Sequence, residues 1–250
     1  MSLSMVALTF CARPLRVPLP APAPLPEVDF AKAATERDRA KQAEQAGDVD
    51  GARLHLEAAL EAAPGWSEPE LDLAELLLSR GEEPDRVAAM LATAEPDPKE
   101  ATRLWRLRGI LAEQDGDRAA AVRTYQSALA CDPADTFVHA RLAHLFLAGG
   151  DTDAAISEFE WLQERSPLDA TLHAALADAY VRVKRFEDAQ QQLAAAVTLD
   201  PSNPIFHRRL ANVYDQQGLR KKAAAEHAQA DALTTATTTR KMRPLPPSKR

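Results

Sequence analysis

The chain has 250 residues, 46 % of them hydrophobic and 27 % charged, which is enough for one elongated domain or two small ones without disulfide support. No stretch approaches the roughly 18 apolar residues that cross a bilayer, and a net charge of -7 argues against a general nucleic-acid binder. Aromatics reach only 5 %, so something other than aromatic bulk must pack the core, and Cys11 and Cys131 lie too far apart for a disulfide framework or a CxxC metal site.

Residues 1–32 form a proline-rich tether. Prolines at 14, 18, 20, 22, 24 and 26 deny helix and sheet their amide donors and favour extended polyproline II. The opening MSLSMVALTFC invites comparison with a degenerate lipoprotein signal in which Cys11 would be acylated. Against it, no Lys or Arg precedes the apolar patch, and Phe10 stands where such signals carry a small residue. Membrane attachment follows only if Cys11 is lipidated, with an outer-membrane or periplasmic location; otherwise the chain reads as soluble and cytoplasmic. At the other end, the polar run from Thr234 passes into a basic tail, 238–250, expected to be disordered. Residues 1–32 hold three bases and two acids and the tail five bases and no acid, which leaves -13 on the segment between them.

That segment is periodic. Prolines at 64, 98, 133, 167 and 201 recur at intervals of 34 or 35 and divide it into six units, 33–66, 67–101, 102–135, 136–169, 170–203 and 204–237. Each proline stops one helix and lets the next begin. A second break falls halfway through every unit, and five of these six breaks offer glycine for a left-handed helix stop; the exception is KRFED at 184–188. Each unit is therefore predicted to be helix, tight turn, helix. Small residues recur at the eighth position (Ala40, Ala74, Gly109, Ala143, Ala177, Ala211) and at the twentieth (Ala52, Arg86, Ala121, Ala155, Ala189, Ala223), where helix axes must come close. Larger residues such as Trp105, Tyr125, Leu142, Phe146, Phe159, Leu176, Tyr180 and Leu193 are expected to fill the space around them.

The pattern resembles the tetratricopeptide repeat. Unit three carries Trp105, Gly109, Ala121, Tyr125, Ala128 and Pro133, with Arg108 in place of the usual Leu. Units four and five repeat it with Leu142, Ala143, Phe146, Ala155, Phe159 and Pro167, then Leu176, Ala177, Tyr180, Ala189, Ala196 and Pro201. Unit two is the weakest, with Arg86 and Thr93 in small-residue slots, and unit six lacks a terminal proline, its outer face with Arg220, Lys221, Lys222 and Glu226 serving as a polar cap. The resemblance implies an all-α fold, a right-handed α-solenoid superhelix of about six helix-turn-helix repeats.

The resemblance also implies that positions 2, 5, 9 and 12 of each unit face a concave groove. Candidate partner-binding residues there are Arg37 and Lys41 in unit one, Leu71 and Leu78 in unit two, and Arg103 and Arg106 in unit three. Units four and six add Phe137, His144 and Leu147, then Arg208 and Asn212. The carboxylate clamp of chaperone-binding members is not expected, because Asp72 stands in one of its slots.

No HExxH, GxSxG, P-loop or GxGxxG occurs. His139, His173 and His207 share the fourth position of their units; one repeat apart, they are too distant to hold one ion and are read as rings half buried between helices. His55 and His227 read as isolated surface residues, and Cys131 as a packed residue at a repeat junction. No catalytic residue, cofactor or metal is expected. The resulting expectation is a non-enzymatic scaffold that binds one or more proteins through its groove to assist assembly of a larger complex. The alternative, from repeat count, size and Cys11, is a resemblance to bacterial pilotin lipoproteins that assist secretin and type IV pilus assembly.

Overall fold

The computed structural model describes residues 28–95 and 99–242, with side chains through 235; Cys11, Pro98 and residues 243–250 fall outside the described residues. Within them lie twelve helices and no strand. They pair as α1 (Phe30–Gln45) with α2 (Val49–Ala62), α3 (Ser67–Arg80) with α4 (Pro84–Thr93), and α5 (Ala101–Gln114) with α6 (Arg118–Cys131). The series continues with α7 (Thr136–Gly149) and α8 (Thr152–Arg165), α9 (Ala170–Arg182) and α10 (Phe186–Leu199), and α11 (Pro204–Gln216) and α12 (Arg220–Met242). Each hairpin leans on the next, giving an all-α helical-repeat solenoid.

The turns obey local chemistry. Gly47, Gly81, Gly116, Gly150 and Gly218 take φ between 65° and 85°, the left-handed stop that a Cβ opposes. Asp48, Asp117 and Asp151 then cap the second helices by accepting the amides of Gly51, Ala120 and Ala154. First helices are capped in the same way by Asp29, Asp135, Asp169 and Asn203.

The small-residue slots are where hairpins close. Ala40, Ala74, Ala143, Ala177 and Ala211 are buried, as are Ala52, Ala121, Ala155, Ala189 and Ala223. Gly109 shows how tight the approach is: a Cβ built on it would stand 2.4 Å from the Tyr125 ring. Unit two departs from the rule. One extra residue between Gly81 and the N-cap Glu83 shifts the register, so Val87, fully buried, fills the slot in place of Arg86, whose guanidinium turns to Glu57 of α2 at 3.0 Å and Glu83 at 2.9 Å. Helix α4 is ten residues long, and its N-cap, Glu83, sits at φ 48.

A second device ties the units together. His139, His173 and His207 are buried, and since a carbonyl can only accept, Nε2 of each donates to the carbonyl of Pro133, Pro167 or Pro201 at 3.0–3.1 Å. On the other side Nδ1 meets Glu158, Gln192 or Glu226, nineteen residues onward, at 2.5–2.7 Å. Each ring thus joins the preceding loop, the first helix and the second helix of its unit. Unit one contains the same pair reversed, Glu36 with Nδ1 of His55 at 2.7 Å. His55 is therefore not isolated, and His227 also has a partner, Asp215 at 3.2 Å.

Two further expectations change. Cys131 is exposed instead of packed, at the last residue of α6. The helical run of unit six continues to Met242, through part of the segment read as tail, since no proline stops it. In that unit Glu226 is taken up by His207, so the polar outer face also draws on His227, which replaces Leu56, Tyr125, Phe159 and Leu193 at the equivalent position of other units.

A Gly109→Ala variant is expected to lose about 1–3 kcal/mol of stability, the usual cost of forcing a methyl group into a filled core. Urea unfolding of the two chains measures the difference.

Candidate functional site

The first helices α1, α3, α5, α7, α9 and α11 border a series of recesses that make up the candidate groove, and its two halves have opposite character. In the N-terminal half the charges are spent on each other. Asp72 of α3 accepts from Arg37 Nε of α1 at 2.5 Å and pairs with Arg103 Nη1 of α5 at 2.7 Å. Arg37 also holds Glu68, and Arg103 holds Glu75 at 2.6 Å. Burial works against the Arg103 charge, but the Glu75 and Asp72 carboxylates outweigh it and hold the guanidinium above its ordinary pKa. Arg37 behaves likewise: burial disfavours its charge, Asp72 and Glu68 more than compensate. Glu44 nearby is pushed up, chiefly by burial and then by the Asp72 and Glu75 charges. The two arginines expected to meet a partner are therefore locked into a ladder across three helices. Asp72, read from sequence as repelling a carboxylate, is neutralised as the centre of that ladder.

Leu71 and Leu78 are corrected as well. They are 0 % and 5 % exposed and belong to the core cluster that includes Leu56, Leu104 and Leu107. The leucines of α3 pack directly against α5 in this cluster, so neither is open to a partner. Lys41 remains exposed beside Glu44 on the wall of a small polar recess. Arg106 marks the boundary between the halves: it stands 3.6 Å from Asp135 and lies over the Phe137 ring, 4.5 Å from its centroid.

The C-terminal half is more apolar. A concavity of about 520 Å³ opens between α7, α9 and α11, with Ala140, His144, Leu172, Ala175 and Ile205 among its lining residues. Phe137 and Ile205, at the second position of their units, are 36 % and 54 % exposed on this side. His144 is exposed with its ring edge toward Phe159 at 5.5 Å, and Leu147 is half-buried against the C-terminal core. Arg208 is exposed and 3.6 Å from Asp231, while Asn212 lines an adjoining recess. The structure thus brings Phe137, His144, Leu147 and Asn212 into one half of the groove and places Arg37, Lys41, Arg103 and Arg106 in the other.

Sequence reasoning passed over Arg209, which crosses from α11 to Asp178 of α9 at 2.8 Å. Burial pushes the Asp178 carboxyl up against the pull of Arg209 and Arg182. Arg209 sits at the sixth position of its unit, outside the stripe used to define the groove; its signal in the sequence was only that a base there lies one repeat beyond an acid at position nine. Among the described residues no three metal-binding side chains converge, and no helix is long and apolar enough to cross a membrane.

The matching family model settles the relationship: it is the tetratricopeptide repeat, and it spans residues 70–236. The chain belongs to the tetratricopeptide repeat family. Its members are typically protein-binding scaffolds. Among solved structures, YrrB, described as a TPR protein with an unusual peptide-binding site, superposes with a TM-score of 0.62 at 17 % identity, covering 75 % of this chain and 98 % of that one. MamA MSR-1 gives 0.58 at 19 % identity over 67 % of this chain and 96 % of its own. MamA from Desulfovibrio magneticus RS-1 gives 0.50 at 18 % identity over 82 % and 96 %. These likenesses are of fold. No curated protein matches the chain by sequence.

Replacing the shared carboxylate should expose how much of the repeat geometry the ladder carries. An Asp72→Ala variant leaves two partly buried guanidiniums with one acceptor fewer and is expected to lose about 2 kcal/mol. Thermal unfolding followed by circular dichroism reads this loss.

Proposed function

We propose that this protein is a non-enzymatic scaffold that holds a peptide segment or helix of a partner protein against the C-terminal half of its concave face and so helps assemble a larger complex. The observation that carries the reading is the division of the groove. Charged groups of the first three units are already paired across α1, α3 and α5, whereas units four to six leave Phe137 partly exposed beneath Arg106 and Ile205 exposed at an open concavity between α7, α9 and α11. Exposed apolar side chains on a concave wall lose unfavourable contact with water when a partner's side chains cover them. A helical hairpin array is suited to this because its rigid first helices present side chains at fixed intervals without having to order a loop on binding. The peptide-binding site named for YrrB supports the same use of a similar fold.

The test compares partner recovery from native extract by the wild-type chain, by a Phe137→Ala, Ile205→Glu double variant, and by Lys221→Glu on the outer face of α12. Loss of two central contacts is expected to weaken capture tenfold or more, with Lys221→Glu unaffected. Equal recovery by all three chains removes the groove from the account.

A further inference from the structure

Five of the six hairpin turns put glycine at the left-handed position; the fifth unit puts Lys184 there, at φ 60. A side chain at that geometry costs free energy that glycine avoids, and a residue kept in a sparsely populated conformation directs attention to what its side chain does. Lys184 borders a concavity of about 350 Å³ at the turn edge of the groove, between the end of α9, the start of α10 and α11. The floor is apolar, formed by Val181, Phe186, Leu193 and Val213. The rim is cationic: Arg182, Lys184 and Arg209 face a single carboxylate, Asp178, which Arg209 holds. Arg182 donates to the Leu147 carbonyl at 3.1 Å and exerts a through-space pull on Asp178, and among the described residues neither it nor Lys184 forms an ion pair with a carboxylate. In a repeat segment whose formal charge is -13, two uncompensated cations above an apolar floor run against the trend of the chain.

We infer that this recess is the specificity pocket for the partner, taking a bulky apolar side chain flanked by carboxylates, as an acidic amphipathic peptide would present. The inference rests on the groove reading and adds the partner's chemistry to it. The apolar floor supplies the favourable burial, while Arg182 and Lys184 select and steer negative flanks and disfavour basic ones. Lys184 is retained at the cost of a strained turn because the ammonium serves the rim.

Fluorescence anisotropy with the full chain provides the test, using labelled Glu-Glu-Leu-Phe-Glu-Glu and its counterpart Lys-Lys-Leu-Phe-Lys-Lys at low ionic strength. The acidic peptide is expected to bind saturably and at least about tenfold more tightly than the basic one. Lys184→Gly and Arg182→Glu should each weaken it about fivefold or more. Because glycine suits the left-handed turn, Lys184→Gly should at the same time raise the thermal midpoint by roughly 2 °C, which separates loss of the pocket from loss of the fold. No saturable binding of the acidic peptide, equal binding of both peptides, or undiminished binding by the two variants overturns the inference. If partner capture still depends on Phe137 and Ile205 when the acidic peptide fails, the pocket assignment falls and the groove reading stands.

Discussion

Two helices of a hairpin can approach closely only where nothing longer than a methyl group stands between them, and every larger feature of this protein follows from meeting that condition in register. Ala40, Ala143, Ala177 and Ala211 on the first helices, with Ala52, Ala155, Ala189 and Ala223 on the second, are all buried. Close spacing lets each Leu, Phe or Tyr beside these slots fill its surroundings without aromatic bulk. Unit three carries the condition furthest, setting a Gly109 backbone against the Tyr125 ring. Unit two relaxes it, since a one-residue shift in the turn puts Val87 in the slot, beside a ten-residue second helix and a leucine-rich first helix packed into the core.

Charge is handled locally, and that decides which surfaces remain for other molecules. The buried histidines spend both ring nitrogens on the preceding proline carbonyl and on a Glu or Gln nineteen residues later. Tyr125 and Arg141 converge on Glu113, and burial followed by that carboxylate pushes the Tyr125 hydroxyl far above its ordinary pKa. Asp72 serves two arginines from neighbouring repeats. Groups paired in this way have little left to offer a ligand without first giving up a partner, so a polar groove need not be a recognition surface. On the function proposed above, recognition falls to the places where pairing is incomplete and apolar atoms are uncovered.

Much of the fold was legible because its signals are periodic. Pro133, Pro167 and Pro201 mark junctions, glycine marks most of the turns, and the alanine slots give the register that turns a list of helices into a stack. The candidate site was legible only in part. Position in the repeat singled out Phe137, His144 and Asn212, which are partly exposed or line recesses between the first helices, but it said nothing of whether a charged residue on that stripe would already be satisfied. For Arg37 and Arg103 the ion-pair partner, Asp72, comes from a different repeat, and pairing across repeats depends on superhelical geometry. Leu71 and Leu78 are buried because α3 packs directly against α5, a contact that repeat position alone does not reveal. The His139–Glu158 and Glu36–His55 pairs could have been found, since a fixed separation of nineteen residues relates them.

The core is a chain of clusters joined by single residues, Ile110 between the first and second and Phe146 between the second and third. Leu56, Leu73 and Leu107 belong to a cluster of the first units, Tyr125 and Leu142 to a second, and Phe159, Leu193 and Phe206 to a third. In a linear array each hairpin is supported only by its neighbours, and the second hairpin leans on the third through both of its helices, α3 and α4. A disturbance in one hairpin is therefore felt first by the hairpins on either side of it.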